Sequence, residues 1–252
     1  MPTPHRMIVC VTLLVASGLL AGCAVPGPGE APDGIYDPQE GPNRRVHAFN
    51  KRLDTALTGG GGGGDAVPFV VRAGIENMAD TLSLPQTVAN QVLQLRLGRA
   101  TRNAARFSIN ATVGLLGLLD PAEAMGLPED ESDFGETLYV WGFPEGAYIE
   151  LPVTGPSTER DAVGMAVDLV TNPLSYWLPA PDKYYATGVR LAERVLDRSE
   201  YSEQIDEMLY GSADSYAQSR TIYLQNRRYE LGDESAAQAD YMDPEALDTE
   251  GF

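Results

Sequence analysis

The chain has 252 residues, 43% of them hydrophobic, enough for one domain of roughly 200 residues with a sizeable core plus tails. Its balance of 18 Lys and Arg against 36 Asp and Glu gives a net charge of −18, and its only lysines are Lys51 and Lys183. A nucleic-acid backbone repels such a chain, so nucleic acid is excluded as a partner and the acidity reads as a solvated surface.

The N-terminus reads as a secretory signal. Arg6 is its one fixed cation, Met7 to Gly22 is uncharged and mostly apolar, and small residues close it at Leu20-Ala21-Gly22-Cys23. The apolar run falls short of the ~20 residues a spanning helix needs. The cysteine after Ala-Gly resembles a bacterial lipobox, in which the thiol is acylated and becomes the mature first residue. Cleavage would remove Cys10, leaving Cys23 as the only cysteine and no intramolecular disulfide. Anchoring would then rest on two or more acyl chains, because one holds a bilayer only marginally. Ala24 after the cysteine suggests the outer membrane as destination.

Residues 23–35 read as the lipidated cysteine and a Pro/Gly-rich tether. Val46, Phe49, Leu53 and Leu57 then recur at helical spacing, with Asn43 as the expected cap. Gly59 to Gly64 break that helix into a loop. A second helix is expected from Val70 with Ile75, Met78 and Leu82 on one face, and a third from Pro85 to Ser108. "FGETLYVWGFPEGAYIELP" suggests a hairpin or an irregular loop. Thr158, with Asp161 three residues on, resembles a capping box opening another helix. One or two more helices are expected between Asp182 and Arg228. Residues 233–252 carry acids and no bases and read as a disordered tail.

The chemistry of catalysis is thin. His47 is the single histidine beyond the signal. A hydrolase would have to pair it with Ser157, which sits in Gly-Pro-Ser-Thr rather than a Gly-x-Ser-x-Gly elbow. No clustered metal-ligand spacing appears, so neither catalytic residues nor a metal are assigned. Gly114 and Gly117 lie in "NATVGLLGLLDPAE" without a nearby lysine and ahead of Asp120, which excludes a phosphate loop for a nucleotide. No cofactor is implied.

Arg96, Arg99, Arg102 and Arg106 fall within about 120° of one helical face, at 100° per residue. Leu93, Leu97, Ala100, Ala104 and Phe107 occupy the adjacent face, and the uncharged stretch Val113, Gly114, Leu115, Leu116, Gly117, Leu118, Leu119 follows. Two readings stand side by side. The arginines lie at lipid phosphates with the leucines toward acyl chains, or the arginines pair with the chain's own acids and the stretch is a core turn.

Several blocks, in order, resemble the MlaA (VacJ) outer-membrane lipoproteins of Gram-negative bacteria. They are "DPQEGPNRRVHAFNKRLD", "GIEN", "NQVLQ", "RFSINATVGLLGLLDPA", "FGETLYVWG", "GAYIELPVTGPSTERD" and "DSYAQSRTIYLQNRR". The resemblance covers roughly Asp37 to Gly232. The hexaglycine run departs from the family, which has a helical passage with Arg-Pro and aromatics there. Glu136 and Ala147 replace an expected Gln or Ser and Pro.

The resemblance implies a mainly α fold, a single ring-like helical domain over residues 36–232 with short irregular or hairpin segments, embedded at a membrane. It implies transport of mislocalised phospholipid from the outer leaflet to a soluble periplasmic carrier, beside a trimeric porin, with no bond broken. Cys23 is the expected lipid attachment. Arg102 and Arg106 are the expected headgroup contacts, and Val113 to Leu119 the membrane or channel wall. The alternative is an envelope lipoprotein that only scaffolds a porin complex; a hydrolase is a more distant one.

Overall fold

The computed structural model describes residues 26–27, 30–31, 34–58 and 67–232. The signal segment, Cys23, the Gly59 to Gly64 run and the acidic tail lie outside them. Helix α1 spans Glu40–Thr58. Its inward face is polar: Asn43 and His47 are buried, while Phe49 and Leu57 of the predicted apolar stripe are exposed. Asn43 is an internal residue of the helix and not its cap. Its amide donates to Asp37 Oδ1 at 2.9 Å and to the Tyr148 carbonyl at 3.1 Å, while its own oxygen accepts from the Glu150 N–H.

Helix α2 runs unbroken over Phe69–Leu93, through Pro85. Sequence periodicity predicts a boundary at Pro85 because proline removes one helical hydrogen bond. Burial of Leu84, Pro85, Gln86, Thr87, Asn90 and Gln91 offsets that loss. The break comes instead at Leu95, whose φ of 59° turns the chain into α3, Leu97–Thr112. Arg96 therefore stands at the N-cap position of α3 without a side-chain capping bond, and the predicted single helix to Ser108 is two.

After residues 113–119, the short α4 spans Pro121–Ala124 and α5 spans Phe134–Val140. Strands β1, Tyr148–Leu151, and β2, Gly155–Thr158, pair antiparallel, Tyr148 opposite Thr158 and Leu151 opposite Gly155. The hairpin thus uses the end of the aromatic block, whose beginning is α5. Helix α6, Glu159–Thr171, starts as expected, with the Asp161 N–H donating to Thr158 Oγ1 at 3.2 Å. It crosses α5 at a glycine pair: a Cβ on Gly164 would stand 2.4 Å from the Gly135 nitrogen.

The expected C-terminal helices are more divided. Short α7, Leu174–Trp177, and a 3-10 turn at Asp182–Tyr184 lead into α8, Tyr185–Glu200. Then come α9, Ser202–Asp206, a π turn at Glu207–Gly211, and α10, Ser215–Glu230.

The elements close into a ring. Its contacts run from α10 to β2, α6, α5, α2, α8, α9, the π turn and back to α10. Ion pairs clamp the circuit. Arg198 on α8 donates to Asp54 on α1 at 2.6 and 2.8 Å, and Arg227 on α10 reaches Asp133 and Asp161. Guanidinium groups suit this work because their planar fork engages two acceptors at once. An apolar cluster of Tyr148, Tyr216 and Leu224 sits where the hairpin meets α10. Elsewhere the interior is largely polar, with Asn90, Gln91, Asn103, Arg106, Asn110 and Thr137 almost fully buried. Among the described residues no helix is long and apolar enough to cross a membrane.

Candidate functional site

The ring surrounds a cavity of about 590 Å³, lined from α2, α3, residues 129–133, α5, α8 and α10. That volume is within the ~300–1,000 Å³ usual for small-molecule sites, but the lining is charged rather than apolar. Two of its arginines are engaged by neighbouring acids. Arg99 pairs with Asp130 and contacts Glu136 at 3.5 Å. Arg227 pairs with Asp133 at 2.8 Å and Asp161 at 3.1 Å. Asp80 on α2, Glu131 on the loop, and Arg190, Glu193 and Arg194 on α8 form no ion pair among the described residues.

The electrostatics follow from this crowding. Burial, then the charge of Glu131, pushes Asp80 up to about 6. Burial, then Asp80, pushes Glu129 and Glu193 up to about 7. Burial lowers Arg190. Each shift says that a charged form lacks adequate compensation inside the protein.

The arginine stripe meets this site from one side. Arg96 pairs with Glu136, and Arg99 with Asp130. Arg106 is 1% exposed and bonds Asp120 Oδ2 at 2.8 Å, Glu123 Oε2 at 3.3 Å and the Leu127 carbonyl, with Glu129 at 3.8 Å. Its charge is therefore spent inside the fold, which leaves none for an external headgroup. Arg102 is different: its side chain is 44% exposed and its one ion-pair contact is to Asp130 at 3.8 Å.

Residues 113–119 form a compact loop on α2, not a core turn. Val113, Leu115, Leu116, Leu118 and Leu119 are exposed, Leu116 by 73%. Leu115, Leu116 and Gly117 all take positive φ, at 55°, 61° and 89°. For each leucine the left-handed region costs roughly 1–2 kcal/mol. Backbone bonds hold the turn: Gly117 N–H to the Asn110 carbonyl and Leu119 N–H to the Gly114 carbonyl, both 2.9 Å. A Cβ on Gly117 would stand 2.6 Å from Thr81 Cβ, and one on Gly74 2.8 Å from Leu118 Cδ1. Asp120 closes the loop by capping α4 and accepting from Asn110 at 2.9 Å. Burial raises its pKa, but the Glu123 N–H, Asn110 and Arg106 outweigh that and hold it below the ordinary carboxylate range.

The outer side of the α2–α8 seam is apolar. A groove of about 410 Å³ lies there, lined by Ile75 and Met78 of α2, Tyr184 of the 3-10 turn, and Tyr185, Val189 and Ala192 of α8. The same two helices thus present a charged cavity on one side and an apolar groove on the other. The sequence reading missed Asp80, Arg190 and Glu193. Their helical spacing is visible, but nothing local says that α2 and α8 face one another.

His47 belongs to a separate network. Its Nδ1 lies 3.1 Å from Glu150 and its Nε2 3.1 Å from Ser215, not Ser157. Ser157 is buried in the hairpin with its hydroxyl on the Thr158 carbonyl. Lys51 also donates to Ser215 Oγ at 3.1 Å, and Tyr216 meets the imidazole edge-on. His47, Glu150 and Ser215 tie α1, β1 and α10 together.

Comparison with other proteins gives a consistent result. A family model described as MlaA lipoprotein matches residues 35–230. The chain is 30% identical over 226 residues to the Escherichia coli (strain K12) protein named intermembrane phospholipid transport system lipoprotein MlaA, covering 86% of each. It is 28% identical over 232 residues to the Haemophilus influenzae protein of that name, covering 88% of this chain and 90% of that one. An uncharacterized protein of Rickettsia felis is 31% identical over 190 residues, 74% of each chain. A solved structure, reported as "Structural basis for maintenance of bacterial outer membrane lipid asymmetry", is also similar. It matches with a TM-score of 0.62 and 28% identity, covering 77% of this chain and 98% of that one. Through that family model and these relatives, and with the helical ring they share, the chain belongs to the MlaA lipoprotein family.

Proposed function

We propose that this protein is an outer-membrane lipoprotein, anchored through Cys23 on the periplasmic side, that removes mislocalised phospholipid from the outer leaflet. It passes the lipid to a soluble periplasmic carrier and works beside a trimeric porin. No bond is broken, so it acts as a transporter and not as an enzyme. The observation that carries this reading, beside the relatives' names, is the inverted distribution of polarity. The interior holds a charged cavity and a buried polar network, while large apolar side chains face outward.

In water that exterior is costly, because each leucine moved into an apolar phase gains up to about 1.5–3 kcal/mol. A bilayer leaflet supplies that phase without requiring a spanning helix. Phe69, Val70, Leu115, Leu116 and Trp177 are among the exposed side chains that would meet acyl chains. Val113 to Leu119 then forms wall at the lipid boundary, and Arg102 borders headgroups. A phospholipid needs a polar lane and an apolar one. The cavity and the α2–α8 groove supply one each.

The test is deletion of the gene followed by labelling of surface-exposed phospholipid. Labelling should rise, and should be reversed by the wild-type protein but not by Cys23→Ala. Unchanged labelling in the deletion strain would refute the reading. Absence of phospholipid from the detergent-extracted protein would favour a porin scaffold instead.

A further inference from the structure

The central cavity has an asymmetry that transport of phospholipid in general does not require. With Arg99 and Arg227 paired to their acids, the charges left facing the space are Asp80, Glu131, Glu193, Arg190 and Arg194. Glu129 adds a carboxylate whose nearest cation, Arg106, lies 3.8 Å away and is shared with Asp120 and Glu123. Carboxylates therefore outnumber the available guanidinium groups.

The placement is ordered along two helices. Asp80, Ser83 and Thr87 share one face of α2, and Arg190, Glu193 and Arg194 fall on one face of α8. Thr87 lines the cavity one turn beyond Ser83.

A wall with two guanidinium groups and a surplus of carboxylates complements a zwitterion. The phosphate takes the guanidinium groups and the Thr87 hydroxyl, and a cation beyond it takes the carboxylates. A headgroup with a phosphate and only hydroxyls would leave those carboxylates uncompensated. The raised values of Asp80, Glu129 and Glu193 fit the same picture, since an ammonium among them would relieve the burial and repulsion that raise them.

We propose that this cavity selects phospholipids whose headgroup carries an ammonium beyond the phosphate, the phosphoethanolamine class, over headgroups of net negative charge. The proposal rests on the phospholipid-carrier reading and gives it a substrate class. Asp80 and Glu193 hold the ammonium, and Arg190 and Arg194 hold the phosphate.

The full-length lipidated protein, in non-ionic detergent at pH 8, is titrated with dihexanoyl phosphatidylethanolamine and with dihexanoyl phosphatidylglycerol. The ethanolamine lipid should bind on the order of tenfold more tightly, about 1.4 kcal/mol. In D80N/E193Q that ratio should fall to about twofold, chiefly by improved binding of the glycerol lipid. If the double variant melts early, Glu193→Gln alone, at a partly exposed position, should at least halve the ratio. Equal affinities in the wild type, a preference for the glycerol lipid, or a ratio unchanged in a folded variant would overturn the proposal. Binding of soluble phosphoethanolamine that neither lipid displaces would overturn it in favour of a small soluble ligand. Failure of both lipids to bind would instead strike the carrier reading itself.

Discussion

At the residue scale, the arginines of α3 divide by burial, not by spacing. Arg106 is itself almost fully buried, holding Asp120, Glu123 and the Leu127 carbonyl, whereas Arg102 is half exposed. Removing Arg106 takes the cation from the largely buried Asp120 and a donor from the Leu127 carbonyl. Arg106→Met should therefore lower unfolding stability by about 3–5 kcal/mol, measured by denaturant titration in detergent. Arg102→Glu should leave stability within about 0.5 kcal/mol and reduce lipid removal in cells. Equal stability loss in the two variants would show that the difference in burial has no energetic consequence.

Helix and loop elements depend on close backbone approach more than on hydrophobic stripes. The α5–α6 crossing brings Gly164 against Gly135 so tightly that an added methyl has no space. Gly164→Ala should cost about 1–3 kcal/mol by overpacking, and thermal melts of the purified variant check it. The loop at 113–119 makes the opposite prediction. Its leucines point outward and contribute little to folding, so Leu115→Asp with Leu116→Asp should leave the melting temperature in detergent nearly unchanged. Binding to phospholipid vesicles should weaken on the order of tenfold or more, because apolar area no longer enters the bilayer. Undiminished flotation with vesicles would remove this loop from the membrane boundary.

Across the whole molecule, the ring concentrates carboxylates around a cavity and links their titration to stability. Asp80, Glu129 and Glu193 titrate in the fold at about 6, 7 and 7. Their unfolded values lie near 4. Between these limits the folded chain binds more protons than the unfolded one, so stability falls as pH rises through the window. Asp54 has the opposite sign. Hydrogen bonding from Arg198 lowers its pKa, so its contribution is present above the unfolded value and lost as pH falls below it. Lipid-depleted protein should therefore melt highest near pH 5 and roughly 2–4 °C lower at pH 8. A melting temperature that is flat or rises over that interval would contradict the linkage.

The sequence by itself determined a mainly helical chain, the Thr158 cap of α6, and the family to which the ordered blocks belong. These are local properties: a cap, a periodicity and a motif are each complete within a few residues. It also marked the apolar stripes of α1 and the 113–119 loop, but not the direction they face. Apolar spacing picks out one side of a helix, while inside and outside depend on what packs against that side. Only the tertiary structure turned α1 with Asn43 and His47 inward and Phe49 outward, because Asp37, Tyr148, Glu150 and Ser215 supply the partners, most of them from far along the chain. It likewise carried α2 through Pro85, where burial outweighs one lost hydrogen bond, and paired His47 with Ser215 in place of Ser157. The cavity depended on tertiary structure most of all. Asp80 and Glu193 lie more than a hundred residues apart and acquire shared electrostatics only when the ring closes and α2 meets α8.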